Sequence, residues 1–63
     1  MQYDIFVSRH LDLKNFLIKK NIIPHDIRSI EHVDNIEDIR GLNAIGVLAS
    51  KIAVFCRTVT EVP

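Results

Sequence analysis

Apolar positions along this chain fall into short blocks whose period changes from two to about three and a half, with polar junctions between them. Residues 3–8, Tyr-Asp-Ile-Phe-Val-Ser, predict a first strand. Tyr3, Ile5 and Val7 are expected on one face and Asp4, Phe6 and Ser8 on the other, so both faces carry apolar bulk, as in the centre of a sheet covered on both sides. Residues 12–20 predict a helix, because Leu13, Phe16 and Leu17 follow i, i+3, i+4 and Ile18 widens the stripe. Asp12 is the expected N-cap, Lys19 and Lys20 complement the C-terminal dipole, Asn21 supplies a left-handed stop, and Pro24 opposes continuation.

Between Ile27 and Ile39 the pattern admits two readings. Ile30, Val33, Ile36 and Ile39 recur every three residues, which favours a helix between Pro24 and Gly41. The alternative is a strand at 27–33 followed by an irregular acidic loop through Asp34, Asn35, Glu37 and Asp38. Residues 43–48 predict a buried strand in which Gly46 marks a bulge or a close backbone approach. Ser50 stands where a helix N-cap belongs, with Ile52, Phe55 and Cys56 behind it, and Val59 to Val62 predict a final short strand.

Length narrows the options. At 63 residues there is room for one domain and one core, and that core is marginal unless something supports it. The single cysteine excludes an internal disulfide, and no Cys/His or carboxylate spacing suits a metal. Neither a metal nor a cofactor is therefore expected, and a two-fold homodimer is the expected support. Eight basic and eight acidic residues cancel, which disfavours long DNA or RNA but leaves small anionic ligands open. No leader and no membrane-length apolar run stands out, so no membrane partner is expected and a reducing cytoplasm is the default location.

Chemistry concentrates at two strand-to-helix junctions. Ser8, Arg9 and His10 end the first strand; Leu48, Ala49, Ser50 and Lys51 end the later one. In a doubly wound sheet both junctions border one crevice at the carboxyl ends of the strands. Lys51 in a first helical turn opposes the dipole unless it meets an anion there; otherwise it simply reaches into water. Arg9 suits a forked phosphate contact and His10 suits proton transfer near neutrality. His32 and Asp34 share a side if their segment is extended, so the carboxylate can orient the imidazole. Ser50 fits a cap better than a nucleophile, and Cys56 a core thiol better than a reactive one. Arg9-His10 lacks the following glycine of the histidine-phosphatase motif, since Leu11 stands there.

Phe6-Val7-Ser8-Arg9-His10, His32-Val33-Asp34, Gly46-Val47-Leu48 and Cys56, taken in that order, resemble a family. It is the small type III CRISPR-associated family that forms the sixteenth of the "Csx" series. That family's Gly-Thr-Leu-Pro reads Gly46-Val47-Leu48-Ala49 here. The resemblance implies a small Rossmann-like, three-layer α/β fold in the order β-α-β-β-α-β, and it makes residues 27–33 a strand. It also implies a ring nuclease that binds cyclic oligoadenylate and cuts it without metal through a ribose 2′-hydroxyl. On that reading Arg9 and Lys51 stabilise phosphate charge, His10 is the acid or base, and Ser8, Ala49, Ser50, His32 and Asp34 hold the ligand. The alternatives are a non-catalytic cyclic-nucleotide sponge of viral origin and a small antitoxin-like inhibitor that docks to a protein.

Overall fold

A computed structural model describes residues 3–62. Strands β1 (Ile5–Val7), β2 (Arg28–Ile30), β3 (Asn43–Gly46) and β4 (Thr58–Glu61) form one sheet in the order β2-β1-β3-β4, with every pairing parallel. Helix α1 (Leu11–Lys19) links β1 to β2, a 3-10 turn at Ile36–Asp38 interrupts the passage to β3, and α2 (Ser50–Ala53) links β3 to β4. The chain leaves β1 toward one side for β2 and returns to the other side for β3. The carboxyl ends of β1 and β3 therefore flank a topological switch point, where open α/β sheets hold ligands.

Two apolar clusters cover the two sheet faces. Phe6 and Ile45, paired across β1 and β3, face α1 together with Leu17, Ile23 and Ile27. Ile5, Val7 and Ala44 face the opposite way and pack on Ile39, Leu48, Ile52 and Ala53. The result is a three-layer α/β arrangement in the element order that the resemblance implied. Tyr3 departs from the expected alternation: it packs with Phe6 rather than with Ile5 and Val7. The reason lies at Asp4, whose N–H donates to the Asn43 carbonyl at 2.7 Å and whose Oδ2 accepts the Asn43 N–H at 2.8 Å. That pairing turns the chain before the strand proper begins.

Helix α1 starts one residue earlier than expected and is capped differently. His10, not Asp12, occupies the N-cap in extended conformation, and Asp12 sits in the first turn, where its charge suits the dipole. The stop at Asn21 is as expected. Its φ is 60°, its N–H reaches the Ile18 carbonyl at 3.0 Å, and the Ile22 N–H reaches Leu17 at 2.9 Å. These two bonds are the paired closure of a Schellman cap.

The middle segment forms strand β2, shorter than 27–33, with Ile27 buried just before it. Within the acidic stretch expected to be irregular, Asn35 Oδ1 accepts the Glu37 N–H at 3.1 Å and starts the 3-10 turn. That turn delivers Ile39 into the core with no exposed surface.

Helix α2 is a single turn and ends before Phe55 and Cys56. The Phe55 and Cys56 N–H groups bond three residues back, to Ile52 and Ala53, and the Phe55 carbonyl accepts the Gly41 N–H at 3.0 Å. A long-range bond thus takes an acceptor that helix continuation would need. Cys56 still packs beside the Ile5 cluster, and burial pushes its thiol above the ordinary range. Less thiolate at a given pH means slower alkylation. Iodoacetamide at pH 8, followed by mass spectrometry, should label the folded chain several-fold more slowly than the urea-unfolded chain; equal rates would contradict the burial. Among the described residues, no helix is long and apolar enough to cross a membrane.

Candidate functional site

The carboxyl ends of β1, β2 and β3 leave two adjoining hollows. One, of about 250 Å³, is lined by Ser8, Arg9, His10, Glu31 and Val47. The other, of about 230 Å³, is lined by Val7, Val33, Leu48, Ala49 and Ile52 and by the imidazole-bearing His32. Glu31 and Val47 border both. Each hollow is smaller than the roughly 300–1,000 Å³ typical of small-molecule sites, and joined they reach that range.

Local backbone chemistry fixes the first junction. The Ser8 N–H donates to the Ile30 carbonyl at 3.0 Å and so extends the β1–β2 pairing by one residue. Ser8 Oγ then accepts the His10 N–H at 3.0 Å, closing a tight turn that sets His10 at the start of α1. Arg9, between them, is exposed and belongs to no ion pair among the described residues. Its guanidinium is therefore available to an incoming anion.

His32 and Asp34 form the expected pair, with Nε2 and Oδ1 2.9 Å apart. Both side chains are largely exposed, so the contact orients the ring and contributes little to stability. His32 lines the second hollow, and Asp34 stands behind it.

The second junction differs from its expected form. Ala49, in extended conformation, occupies the N-cap of α2, and Ser50 is the first helical residue, so the serine does not cap the helix. The Ile52 and Ala53 N–H groups turn back to the Ala49 carbonyl, both at 2.9 Å. A helix of four residues has little dipole to offer an anion. Of this group, Ala49 lines a hollow, whereas Ser50 and Lys51 do not. Lys51 is exposed, two residues beyond Ala49.

Glu31 was not singled out by motif or spacing. It directly follows the end of β2 as Ser8 follows the end of β1, and that matching position at the carboxyl edge is the signal that could have found it. It lines the same hollow as Arg9 and His10. One cation, one carboxylate and one imidazole around a small cavity suit a ligand that presents an anionic group next to a hydroxyl. No group of three His, Cys, Asp or Glu side chains among the described residues is placed to hold a metal ion.

Comparison of the chain with protein-family models, curated proteins and solved structures gives no match.

Proposed function

We propose that the chain binds cyclic oligoadenylate at the β1–β3 switch point and cuts it by internal transesterification. The carrying observation is that Arg9, His10 and Glu31 line one hollow at the carboxyl ends of the strands. A phosphodiester beside a ribose 2′-hydroxyl has the matching chemistry: an anion for the guanidinium and a hydroxyl for the carboxylate.

In the reaction the 2′-oxygen attacks the neighbouring phosphorus, the bond from phosphorus to the 5′-oxygen breaks, and a 2′,3′-cyclic phosphate remains. The 2′-hydroxyl gives up its proton and the departing 5′-oxygen takes one. Glu31 accepts the hydrogen bond of the 2′-hydroxyl, and His10 exchanges the proton. Arg9 stabilises charge on the phosphoryl oxygens, where fixed donors act most strongly. Ser8, Ala49 and His32, with Asp34 behind the imidazole, border the nucleoside. Ser50 and Lys51 act from outside the hollow, Lys51 as a diffuse positive charge for the remaining phosphates.

Incubation of the purified protein with cyclic tri-, tetra- and hexa-adenylate, with chromatographic separation of products, tests this. The expected products are linear oligoadenylates ending in a 2′,3′-cyclic phosphate. Removing a charge-assisted hydrogen bond costs about 1.5–3 kcal/mol, so Arg9→Ala should weaken binding roughly 10- to 100-fold. His10→Ala should slow turnover by about 10²-fold or more with a smaller change in affinity; unchanged turnover removes His10 from the mechanism. Intact ligand recovered after denaturation would make the protein a sponge, and failure to bind any ring would end both readings.

A further inference from the structure

The two hollows at the switch point differ in character. Arg9, His10 and Glu31 give the first its charge and its titratable groups. The second is walled by aliphatic side chains: Val7 and Leu48 are buried, and Val33, Ala49 and Ile52 stand around them. Its polar side chains are Glu31 and His32. An apolar hollow of about 230 Å³ with so few polar groups has the make-up of a site for a flat heterocycle, gripped on its faces and read at its edge. Glu31 and Val47 stand on the border common to both hollows, and Val47 is 59% exposed there. A ligand that fills both therefore places an anion in the first, a heterocycle in the second and a hydroxyl-bearing link over the border. That is the order of phosphate, base and ribose in a nucleotide.

The His32 ring is not free to present either nitrogen. Its Nε2 lies 2.9 Å from Asp34 Oδ1. Two unprotonated acceptors at that distance repel, so in the neutral ring the hydrogen sits on Nε2 and Nδ1 is left as an acceptor.

We propose that the second hollow is a nucleobase subsite in which His32 Nδ1 accepts a hydrogen bond from an exocyclic amine, so that the protein prefers a 6-aminopurine to a 6-oxopurine. This rests on the reading of the first hollow as the phosphate site. Glu31, on the border, is taken by the sugar hydroxyl, which leaves His32 as the side-chain acceptor for the base. A carbonyl in place of the amine sets one lone pair against another, and a site whose acceptor is fixed rejects it. His32 thus determines specificity. Asp34 is a positioning residue that acts through the tautomer of the ring.

Titration calorimetry at pH 8 with adenosine 3′-monophosphate and inosine 3′-monophosphate tests the subsite without requiring any ring to be cut. The adenosine nucleotide is expected to bind about 3- to 10-fold more tightly, the range of one neutral hydrogen bond. His32→Phe keeps a flat ring without an acceptor and should bring that ratio to about one. Asp34→Ala should lower it too, and nitrogen NMR should find the His32 ring hydrogen on Nε2 in the wild-type chain but shared between both nitrogens in the variant. Both side chains are largely exposed, so both variants should fold. Arg9→Ala should weaken the two nucleotides alike and leave the ratio unchanged. Equal affinities in the wild-type chain, an unchanged ratio in His32→Phe, or no binding of adenosine 3′-monophosphate at millimolar concentration would each overturn the proposal. Failure to cut any ring, with the preference for the amine intact, would end the proposed reaction and support the subsite.

Discussion

Gly46→Ala is expected to abolish cooperative unfolding: in urea followed by far-UV circular dichroism, the variant should show no native baseline. A Cβ built on Gly46 falls 2.1 Å from the Val7 carbonyl oxygen, 2.9 Å from its carbon and 3.0 Å from the Val7 nitrogen. These are backbone atoms of the central strand, and they have nowhere to go. β1 is paired on both sides, and the Val7 oxygen already accepts the Val47 N–H at 2.8 Å. The φ of 137° adds strain that any L side chain must carry, about 1–3 kcal/mol. A chain of this length has about 3–9 kcal/mol of stability in total. Separating β1 from β3 on top of the strain uses up most or all of it. Gly41 provides the control. Its φ is 72°, but a Cβ there meets nothing within 4 Å, so Gly41→Ala should cost only about 1–2 kcal/mol. Equal midpoints for Gly46→Ala and wild type would show that β1 and β3 tolerate separation.

Ile39→Ala is the second substitution expected to be severe. Ile39 has no exposed surface and packs with Ile5, Val7, Ala44 and Leu48, so it joins the connection before β3 to both central strands. Truncating a buried isoleucine costs about 2–5 kcal/mol, depending on how far the site collapses. Collapse is limited here because Ile39 follows a capped 3-10 turn and its own N–H is bound to the Ile36 carbonyl at 3.0 Å. The expected result is a chain at least partly unfolded at 25 °C, seen as a urea midpoint shifted to near zero. Ile36→Ala, three residues earlier and half-buried, should cost distinctly less. Similar losses at both positions would mean that the 3-10 turn, not the Ile39 contact, is what matters.

These two residues also mark where the sequence was readable and where it was not. The end of α1 was legible because everything that makes it is local: Asn21 takes the left-handed conformation, and its own N–H and that of Ile22 close the cap. Gly46 was legible as a bulge or a close approach because glycine inside an apolar strand has few other uses, and the Val7 backbone beside it decides for the second. Strand β2 was undecidable from its own pattern, since Ile30, Val33, Ile36 and Ile39 obey a helical period while lying in a strand, a loop, a 3-10 turn and the core. The length of α2 depended on Gly41, a residue nine positions before the helix begins, so no local signal carried it. Ser8, Arg9 and His10 were placed at a crevice edge by the strand-to-helix junction alone. Glu31 was not, because its membership in the site arises only when β2 pairs beside β1. Lys51 was over-read, since its interest rested on a helix dipole that a single turn does not provide.

The order in which the strands are made has a consequence of its own. β1 is the centre of the sheet and the source of side chains for both cores, yet it is made before either of its partners. β3 begins about 38 residues after β1, which at about 5–20 residues per second is a wait of about 2–8 seconds. Through that interval Ile5, Phe6 and Val7 have no strand to pair with but β2, and one edge of β1 stays open. The nascent chain therefore carries a half-paired apolar strand, the kind of segment that chaperones bind, and its parallel sheet closes only once β3 has followed.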